Sequence, residues 1–257
     1  MTANIPRRTV LRGAIGVAAG AAVGSQLLAA PAYAVTPTPD PDAVRRLTEE
    51  ARQREARVRT GTVSRNGWET EKVADDRGNV YTRPVPGTPL NVRMRMGDVE
   101  TVLVHVISRF HYEIDALREG DVVGWRAPDQ VRRKLAESNQ ASGTAVQIRP
   151  GSYPSGARGG FYPFEELAIR DILSDCEGVI RWGGDDSTPD ESLFSIDVPP
   201  GNERLTRIAD KLRGWTDTPG QGAGAAADPL RPDRLKAAKR LADRQADGSA
   251  DAQPARP

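Results

Sequence analysis

The chain has 257 residues, of which 38% are hydrophobic and 28% charged, and its 36 basic residues nearly balance its 35 acidic residues. This balance gives no reason to expect a nucleic acid or an acidic membrane surface as a partner. The length suffices for one mid-sized domain with its own core, and the low hydrophobic content indicates that part of the chain does not pack. Cys176 is the only cysteine, which excludes an internal disulfide, and the apolar pattern around it predicts a buried structural thiol.

The N-terminal segment, residues 1–34, has the pattern of an export signal. Arg7, Arg8 and Arg12 precede a run of small apolar residues from 14 to 30, and the sequence AYA that ends at Ala34 is typical of a cleavage site. The paired arginines resemble a twin-arginine signal. We therefore expect a secreted, extracytoplasmic bacterial protein that is exported already folded, with an uncleaved membrane anchor as the alternative.

Cleavage after Ala34 would remove three of the 36 basic residues and none of the 35 acidic ones, which changes the formal charge from +1 to −2. No later apolar run is long enough to span a bilayer, so we expect no stable membrane span in the mature protein.

The rest of the chain divides by composition into three parts. Residues 35–60 combine a proline-rich spacer, VTPTPDPD, with a charged helix over 43–59 that has few apolar residues and is predicted to be solvated. Residues 61–215 form the predicted domain, which begins with irregular hairpins over 60–90. Residues 216–257 are rich in Ala, Arg, Asp and Gly and are predicted to be a low-complexity disordered tail, transiently helical at most in DRLKAAKRLADRQ.

Apolar spacing within the domain predicts an α+β fold, a small antiparallel sheet flanked by helices. The predicted helices cover residues 98–118, 129–136, 164–176 and 202–213, and the predicted strands lie in DVVGWRAP, at 145–148, in VIRW and in SLFSIDV. Both histidines, His105 and His111, fall in the first of these helices. Their separation of six residues does not place them on one helical face, so we do not expect them to hold a metal together.

Two short segments in this domain carry the pattern of a known family. Residues 138–147 read SNQASGTAVQ, and residues 182–195 read WGGDDSTPDESLFS. They resemble the zinc D,D-carboxypeptidases and L,D-endopeptidases of the VanY type, which share a metal site with the Hedgehog signalling domain. That family carries S-x-H-x-x-G-x-A-x-D, then W-G-G-D and an acid-x-x-H. The resemblance covers roughly residues 97–198 and implies the same fold.

All three zinc-ligand positions of the family differ in this chain. They are occupied by Gln140, Gln147 and Leu193. Zinc in proteins is bound by thiolate, imidazole or carboxylate groups, and an amide is a weak donor while leucine has none. We therefore expect no zinc, no other cofactor and no metal-assisted hydrolysis.

Other residues of the resemblance keep possible roles. Asp190 occupies the family's acid/base position and is a vestigial catalytic acid under this interpretation, or else an ordinary loop acid. Arg126 in GWRAP resembles the arginine that grips the substrate's carboxylate, and the alternative is an ion pair with Asp129. The acidic residues 185, 186, 190 and 191 suggest a second possibility, a site for a hard cation such as calcium.

The leading hypothesis is a secreted, catalytically inactive peptidase-like protein that binds peptidoglycan peptides or another cell-envelope partner. Its candidate ligand-binding residues are Arg126, Ser138, Gln140, Gln147 and Asp190. One alternative is an active cell-wall peptidase that has relocated metal ligands or that uses Asp190 without a metal. The other is an extracellular scaffold protein whose charged helix and tail recruit partners.

Overall fold

The structure is a computed structural model, and it describes residues 40–225 and 228–251. The predicted signal peptide, its cleavage residue Ala34 and residues 35–39 of the spacer lie outside the described residues. Within the described ranges the fold is α+β with small antiparallel sheets, as the sequence predicted. No helix in these ranges is both long and apolar enough to cross a bilayer.

Two short hairpin sheets precede the central sheet along the chain. The α-helices are α1 Pro41–Val58, α2 Asp98–Glu113, α3 Pro163–Asp175, α4 Glu203–Thr216 and α5 Pro232–Asp251. The strands are β1 Arg59–Val63, β2 Glu69–Glu71, β3 Val80–Pro84, β4 Asn91–Arg95, β5 Val122–Val123, β6 Ala145–Ile148, β7 Ile180–Trp182 and β8 Leu193–Ile196. Two 3₁₀ helices span Ala136–Ser142 and Gly183–Asp185. The pairs β1–β2 and β3–β4 form the hairpin sheets.

The central sheet is antiparallel, with the strand order β5-β6-β8-β7. Because side chains alternate along a strand, the cross-strand partners Val146, Phe194 and Trp182 share one face, and all three are buried. Phe110 of α2 packs edge-to-face on Phe194 with ring centroids 6.4 Å apart, so the helices cover this face. The opposite face carries Gln147 of β6 and its cross-strand partner Leu193 of β8.

Helix α2 supplies much of the core. Its predicted apolar stripe is buried at Val99, Val102, Leu103, Val106 and Phe110. The β-prone run inside this segment therefore folds as a helix, because burying a stripe with 3.6-residue spacing stabilises it. The helix ends at residue 113, five residues before its predicted end.

The predicted helix over 129–136 is wrong. The structure has turns there, followed by the 3₁₀ helix Ala136–Ser142. The segment contains only Val131, Leu135 and Ala136 as apolar residues, and all three are half-buried. These residues are not buried in the core, and such a short helix is not stable on propensity alone.

The prediction of a disordered tail is wrong for residues 232–251, which form a helix. Helix α5 lies inside the range 216–257, and Ala238 and Leu241 are buried. The guanidinium of Arg234 donates two hydrogen bonds of 2.6 Å to the carboxylate of Asp171 on α3. Helix α5 is stabilised by an apolar pair one helical turn apart and by a half-buried ion pair. Composition alone did not predict these contacts.

Helix α1 matches its prediction as a solvated charged helix. Its apolar residues Val44 and Leu47 are exposed, and only Val58, at its end, is buried. The hairpin β1–β2 follows directly, and its turn reaches the central sheet, where it helps to form the candidate site.

Candidate functional site

Three positions of the zinc motif meet on the face of the central sheet that α2 does not cover. Gln147 in β6 lies directly opposite Leu193 in β8. The Nε2 of Gln147 donates a 2.9 Å hydrogen bond to the Oδ2 of Asp190. Ser192 donates to the other carboxylate oxygen of Asp190 at 2.6 Å. These side chains therefore form one connected group, although residues 147 and 190 lie 43 positions apart.

Gln140 joins the same region through strand β5. Its Nε2 donates to the carbonyl oxygens of Val123 at 3.1 Å and Gly124 at 2.9 Å. Val123 is the cross-strand partner of Gln147. The structure thus brings Gln147, Leu193 and Asp190 together and places Gln140 against β5, the strand that pairs with the strand of Gln147.

The side chains at the three ligand positions do not fit a zinc ion. Gln140 is fully buried and Gln147 is 6% exposed, and both direct their NH₂ groups to oxygen acceptors. Their Oε1 atoms have no hydrogen-bond partner among the described residues. Leu193 provides no donor atom at all. Neutral amide oxygens and a leucine lack the charge and softness that zinc requires, so no catalytic step through zinc follows from these residues.

The glycines of the motif are required by packing. Gly143 ends the first 3₁₀ helix with φ +69°, and a Cβ there would lie 2.7 Å from Cγ2 of Val80 and 2.8 Å from the backbone N of Arg95. A Cβ on Gly183 would lie 2.5 Å from the carbonyl oxygen of Asp190. Both positions therefore need glycine whatever the site binds.

The polar residues of SNQASGT fix the turn of the β1–β2 hairpin on the sheet. Ser138, proposed as a ligand contact, is buried, and its Oγ accepts a 3.0 Å hydrogen bond from the backbone N of Arg65. The Oδ1 of Asn139 accepts from the backbone N of Asn66 at 3.1 Å. The Nδ2 of Asn66 in turn donates to Thr144 Oγ1 at 2.8 Å and to a backbone carbonyl of β8 at 2.9 Å. Ser138 thus positions the hairpin turn.

A pocket of about 70 Å³ lies beside this group. Its floor includes the buried residues Asp190 and Leu193, and its rim includes the exposed residues Arg65 and Arg132. Glu137 also lines it and binds Arg132 through two hydrogen bonds of 2.7 Å. The hydrogen bonds from Arg132 lower the pKa of Glu137, and the charge of Arg126 lowers it further. The pocket is therefore polar and carries charges of both signs.

Arg126 is half-buried near this pocket but is not part of its lining. Within the described part of the chain it forms no ion pair, so the predicted alternative with Asp129 is absent there. Three of the five charged residues that line the pocket, Arg65, Arg132 and Glu137, were missed by sequence reasoning, which had named the other two, Asp186 and Asp190. Arg65 lies in the hairpin arm, outside the family motif, and no local pattern connects it with residues of the central sheet.

The four acidic residues proposed as a cation site each have a separate partner. Asp185 binds the guanidinium of Arg170, Asp186 binds Arg181, Asp190 accepts from Gln147 and Ser192, and Glu191 accepts from the backbone N of Gly159 and Gly160. Among the described residues no group of three histidine, cysteine, aspartate or glutamate side chains gathers at metal-binding distance. These carboxylates therefore do not form a shared oxygen cage.

The histidines and the cysteine lie outside the candidate site. His105 is buried, with its Nε2 3.7 Å from Oδ2 of Asp175, and His111 accepts a hydrogen bond from the backbone N of Leu117. Cys176 is fully buried, and burial raises the pKa of its thiol to about 12. A thiol with so high a pKa does not react as a nucleophile near neutral pH, which agrees with its prediction as a structural residue.

Comparison with known proteins gives no match to a family model, to a curated protein or to a solved structure.

Proposed function

We propose that this protein is a secreted, catalytically inactive relative of the VanY-type zinc D,D-carboxypeptidases that binds peptidoglycan peptides. The observation that carries the proposal is the contact of Gln147 with Asp190 and its pairing with Leu193 beside a polar pocket, with Gln140 bound to the neighbouring strand β5. These positions correspond to the ligand set and the acid of the family motif. The two glutamine side chains suit hydrogen bonding, since an amide both donates and accepts.

The neutral side chains at the ligand positions favour a binding role over hydrolysis. A buried aspartate at position 147 without its metal would be an uncompensated charge, which is costly in a protein interior. Glutamine at this position instead donates to Asp190, the acid that remains. The substitutions therefore form one consistent change from a metal site to a hydrogen-bonded site. The family's fold by itself does not fix function, so the proposal depends on these residues.

The predicted export signal supports the choice of ligand. A protein that crosses the cytoplasmic membrane meets the peptides of the cell wall, which are the substrates of the family that the motif resembles. Arg65 and Asp190 give the pocket a cation and a carboxylate that suit the charged ends of such peptides.

Calorimetry with purified muropeptides tests this function, with the chain from Val35 onward as the protein. We expect saturable binding, no release of cleaved peptide, and no stoichiometric zinc by elemental analysis. Arg126→Ala tests the family's carboxylate contact in the same titration, and Arg207→Ala, an exposed arginine of α4, serves as its control. Absence of muropeptide binding contradicts the proposal. Turnover with stoichiometric zinc would establish the active peptidase instead.

A further inference from the structure

Asp190 is a buried carboxylate without a countercharge in contact. It is 6% exposed, and its two hydrogen-bond donors, Gln147 and Ser192, are neutral. Within the described residues it forms no ion pair. Arg132 attracts it at longer range but donates its own hydrogen bonds to Glu137. Burying an unpaired charge is unfavourable, so a carboxylate kept in the floor of a pocket indicates a cationic group that it receives.

Arg65 is the matching unpaired cation on the rim of the same pocket. In the described part of the chain its guanidinium forms neither an ion pair nor a hydrogen bond, and it attracts Asp197 at longer range. Its backbone is nevertheless held in place. The N–H of Arg65 donates to the hydroxyl of Ser138, and the next residue, Asn66, donates through its backbone to Asn139 and through its side chain to Thr144. The hairpin turn therefore fixes the backbone of Arg65 beside the pocket, and the exposed guanidinium is left available to a ligand.

The other charges of the pocket are already matched. Arg132 is bound to Glu137, and Asp186 is bound to Arg181 at 2.7 Å. The charges left for a ligand are therefore one anion in the floor, Asp190, and one cation at the rim, Arg65. The pocket volume of about 70 Å³ is roughly that of two or three water molecules, so it takes the end of a molecule and not a whole peptide.

We propose that this pocket binds a zwitterionic amino-acid group, with its ammonium on Asp190, its carboxylate on Arg65 and its carbon atoms against Leu193. A guanidinium binds a carboxylate through two parallel hydrogen bonds, and a buried carboxylate is the natural acceptor for an ammonium. Free amino acids and the unblocked end of a diamino dicarboxylic acid in a stem peptide carry this same pair of charges. The stem-peptide source rests on the proposed function, whereas the zwitterion site rests on the pocket alone.

Titrations followed by NMR chemical shifts test the site with glycine and D-alanine as probes. Acetate and methylammonium each carry only one of the two charges, and we expect both to bind at least about tenfold more weakly than glycine. Arg65→Ala and Asp190→Asn should each weaken glycine binding by roughly tenfold or more. Arg207→Ala, on α4, should bind glycine like the unmodified protein.

Arg65→Ala keeps the backbone N–H that Ser138 binds, so this variant should remain as stable as the unmodified protein. Glycine binding to Arg65→Ala can therefore be measured even if Asp190→Asn does not fold. The inference is overturned when glycine and D-alanine fail to bind, or when Arg65→Ala binds them unchanged. Amino-acid binding without muropeptide binding would overturn the proposed function alone. Muropeptide binding that is insensitive to Arg65→Ala, with no binding of glycine, would overturn the zwitterion site alone.

A muropeptide whose diamino acid has an acetylated side-chain amine distinguishes the two sources of the zwitterion. Acetylation removes the ammonium and keeps the rest of the peptide. We expect this probe to lose affinity relative to the unmodified muropeptide when the peptide-borne group occupies the pocket. Equal affinity, together with binding of D-alanine, would assign the pocket to free amino acids.

Discussion

Gln140 and Gln147 use their NH₂ groups for the contacts that hold them, which leaves two buried amide oxygens without partners among the described residues. A zinc ligand presents a lone pair toward the metal, whereas these side chains direct N–H bonds toward oxygens of the protein. Hydrogen bonds to protein oxygens therefore hold both side chains in place.

Gly143 should tolerate substitution poorly, because it combines a left-handed backbone with a close contact. Gly143→Ala should lower the free energy of unfolding by roughly 2–4 kcal/mol, since a Cβ would lie 2.7 Å from Cγ2 of Val80. Gly201 also has positive φ, +76°, but nothing lies within 4 Å of its added Cβ. Gly201→Ala should therefore lower it by only about 1–2 kcal/mol. Urea unfolding measures both, and equal losses would contradict the packing argument.

The β1–β2 hairpin turn is the element on which the pocket most depends. Its contacts with the central region come from polar side chains, which bind the backbone of Arg65 and Asn66 and the side chain of Asn66. Trp68 adds a hydrogen bond from its indole to the carbonyl of Val198 at 2.7 Å. The turn is thus a fixed wall of the pocket, and its rigidity lowers the entropy lost when Arg65 binds a ligand.

Asn66→Ala tests this element directly. The substitution removes two side-chain hydrogen bonds, to Thr144 and to the carbonyl of Ile196, and should lower the free energy of unfolding by about 1–3 kcal/mol. Glycine should also bind more weakly to this variant, because Arg65 is no longer held in place. Arg65→Ala is the matched comparison, with weaker glycine binding at unchanged stability. A stable Asn66→Ala variant with unchanged glycine binding would show that the turn needs no such anchor.

Helix α5 is held to α3 by charge as well as by apolar contact. Arg109 of α2 and Arg234 of α5 both bind the carboxylates of Asp171 and Asp175. Burial acts to raise the pKa of Asp175, but the His105 imidazole, 3.7 Å away, and the charges of the two arginines outweigh it and lower the pKa below its ordinary value of 3.8. A carboxylate with a lowered pKa stabilises the fold above its ordinary pKa and loses that contribution as the pH falls through its value in the folded state.

Arg234→Ala should therefore destabilise the protein in a pH-dependent way. We expect a loss of roughly 1–3 kcal/mol at pH 7, because removing one partner leaves a buried carboxylate less well compensated. The difference from the unmodified protein should shrink below about pH 4, where Asp175 becomes protonated in the unfolded chain and then in the folded one. Urea unfolding at neutral and acid pH measures this. Lys239→Ala, an exposed residue of the same helix, should show no such difference, and a pH-independent effect of Arg234→Ala would contradict the assigned cause.

Over the whole molecule, the features that sequence predicted are those encoded by local periodicity. The buried stripe of α2 and the strand Ala145–Ile148 follow directly from apolar spacing, and the motif glycines mark the turn at Gly143. Contacts between distant segments were not predictable in this way. Arg65 and Ser138 are 73 residues apart, and Arg234 and Asp171 are 63 apart. The β1–β2 turn and helix α5 are positioned by contacts with distant residues, which no local sequence pattern specifies.

Restoring the family's ligands tests the fold assignment itself. In the variant Gln140→His, Gln147→Asp, Leu193→His, the fold that the motif implies would place two imidazoles and a carboxylate around one point, with a fourth position open to water. We expect about one zinc ion per chain by elemental analysis and a higher melting temperature with zinc than with chelator, since metal bound to the folded state stabilises it.

The matched control keeps Leu193 and carries only the substitutions at positions 140 and 147. With one ligand fewer, it should bind zinc at least about tenfold more weakly than the triple variant. Circular dichroism should show that both variants are folded before metal is added. A folded triple variant that takes up no more zinc than its control would mean that the three positions do not share the geometry of the VanY-type site. The proposed relationship to that family would then fail, while the pocket between Arg65 and Asp190 would stand on its own contacts.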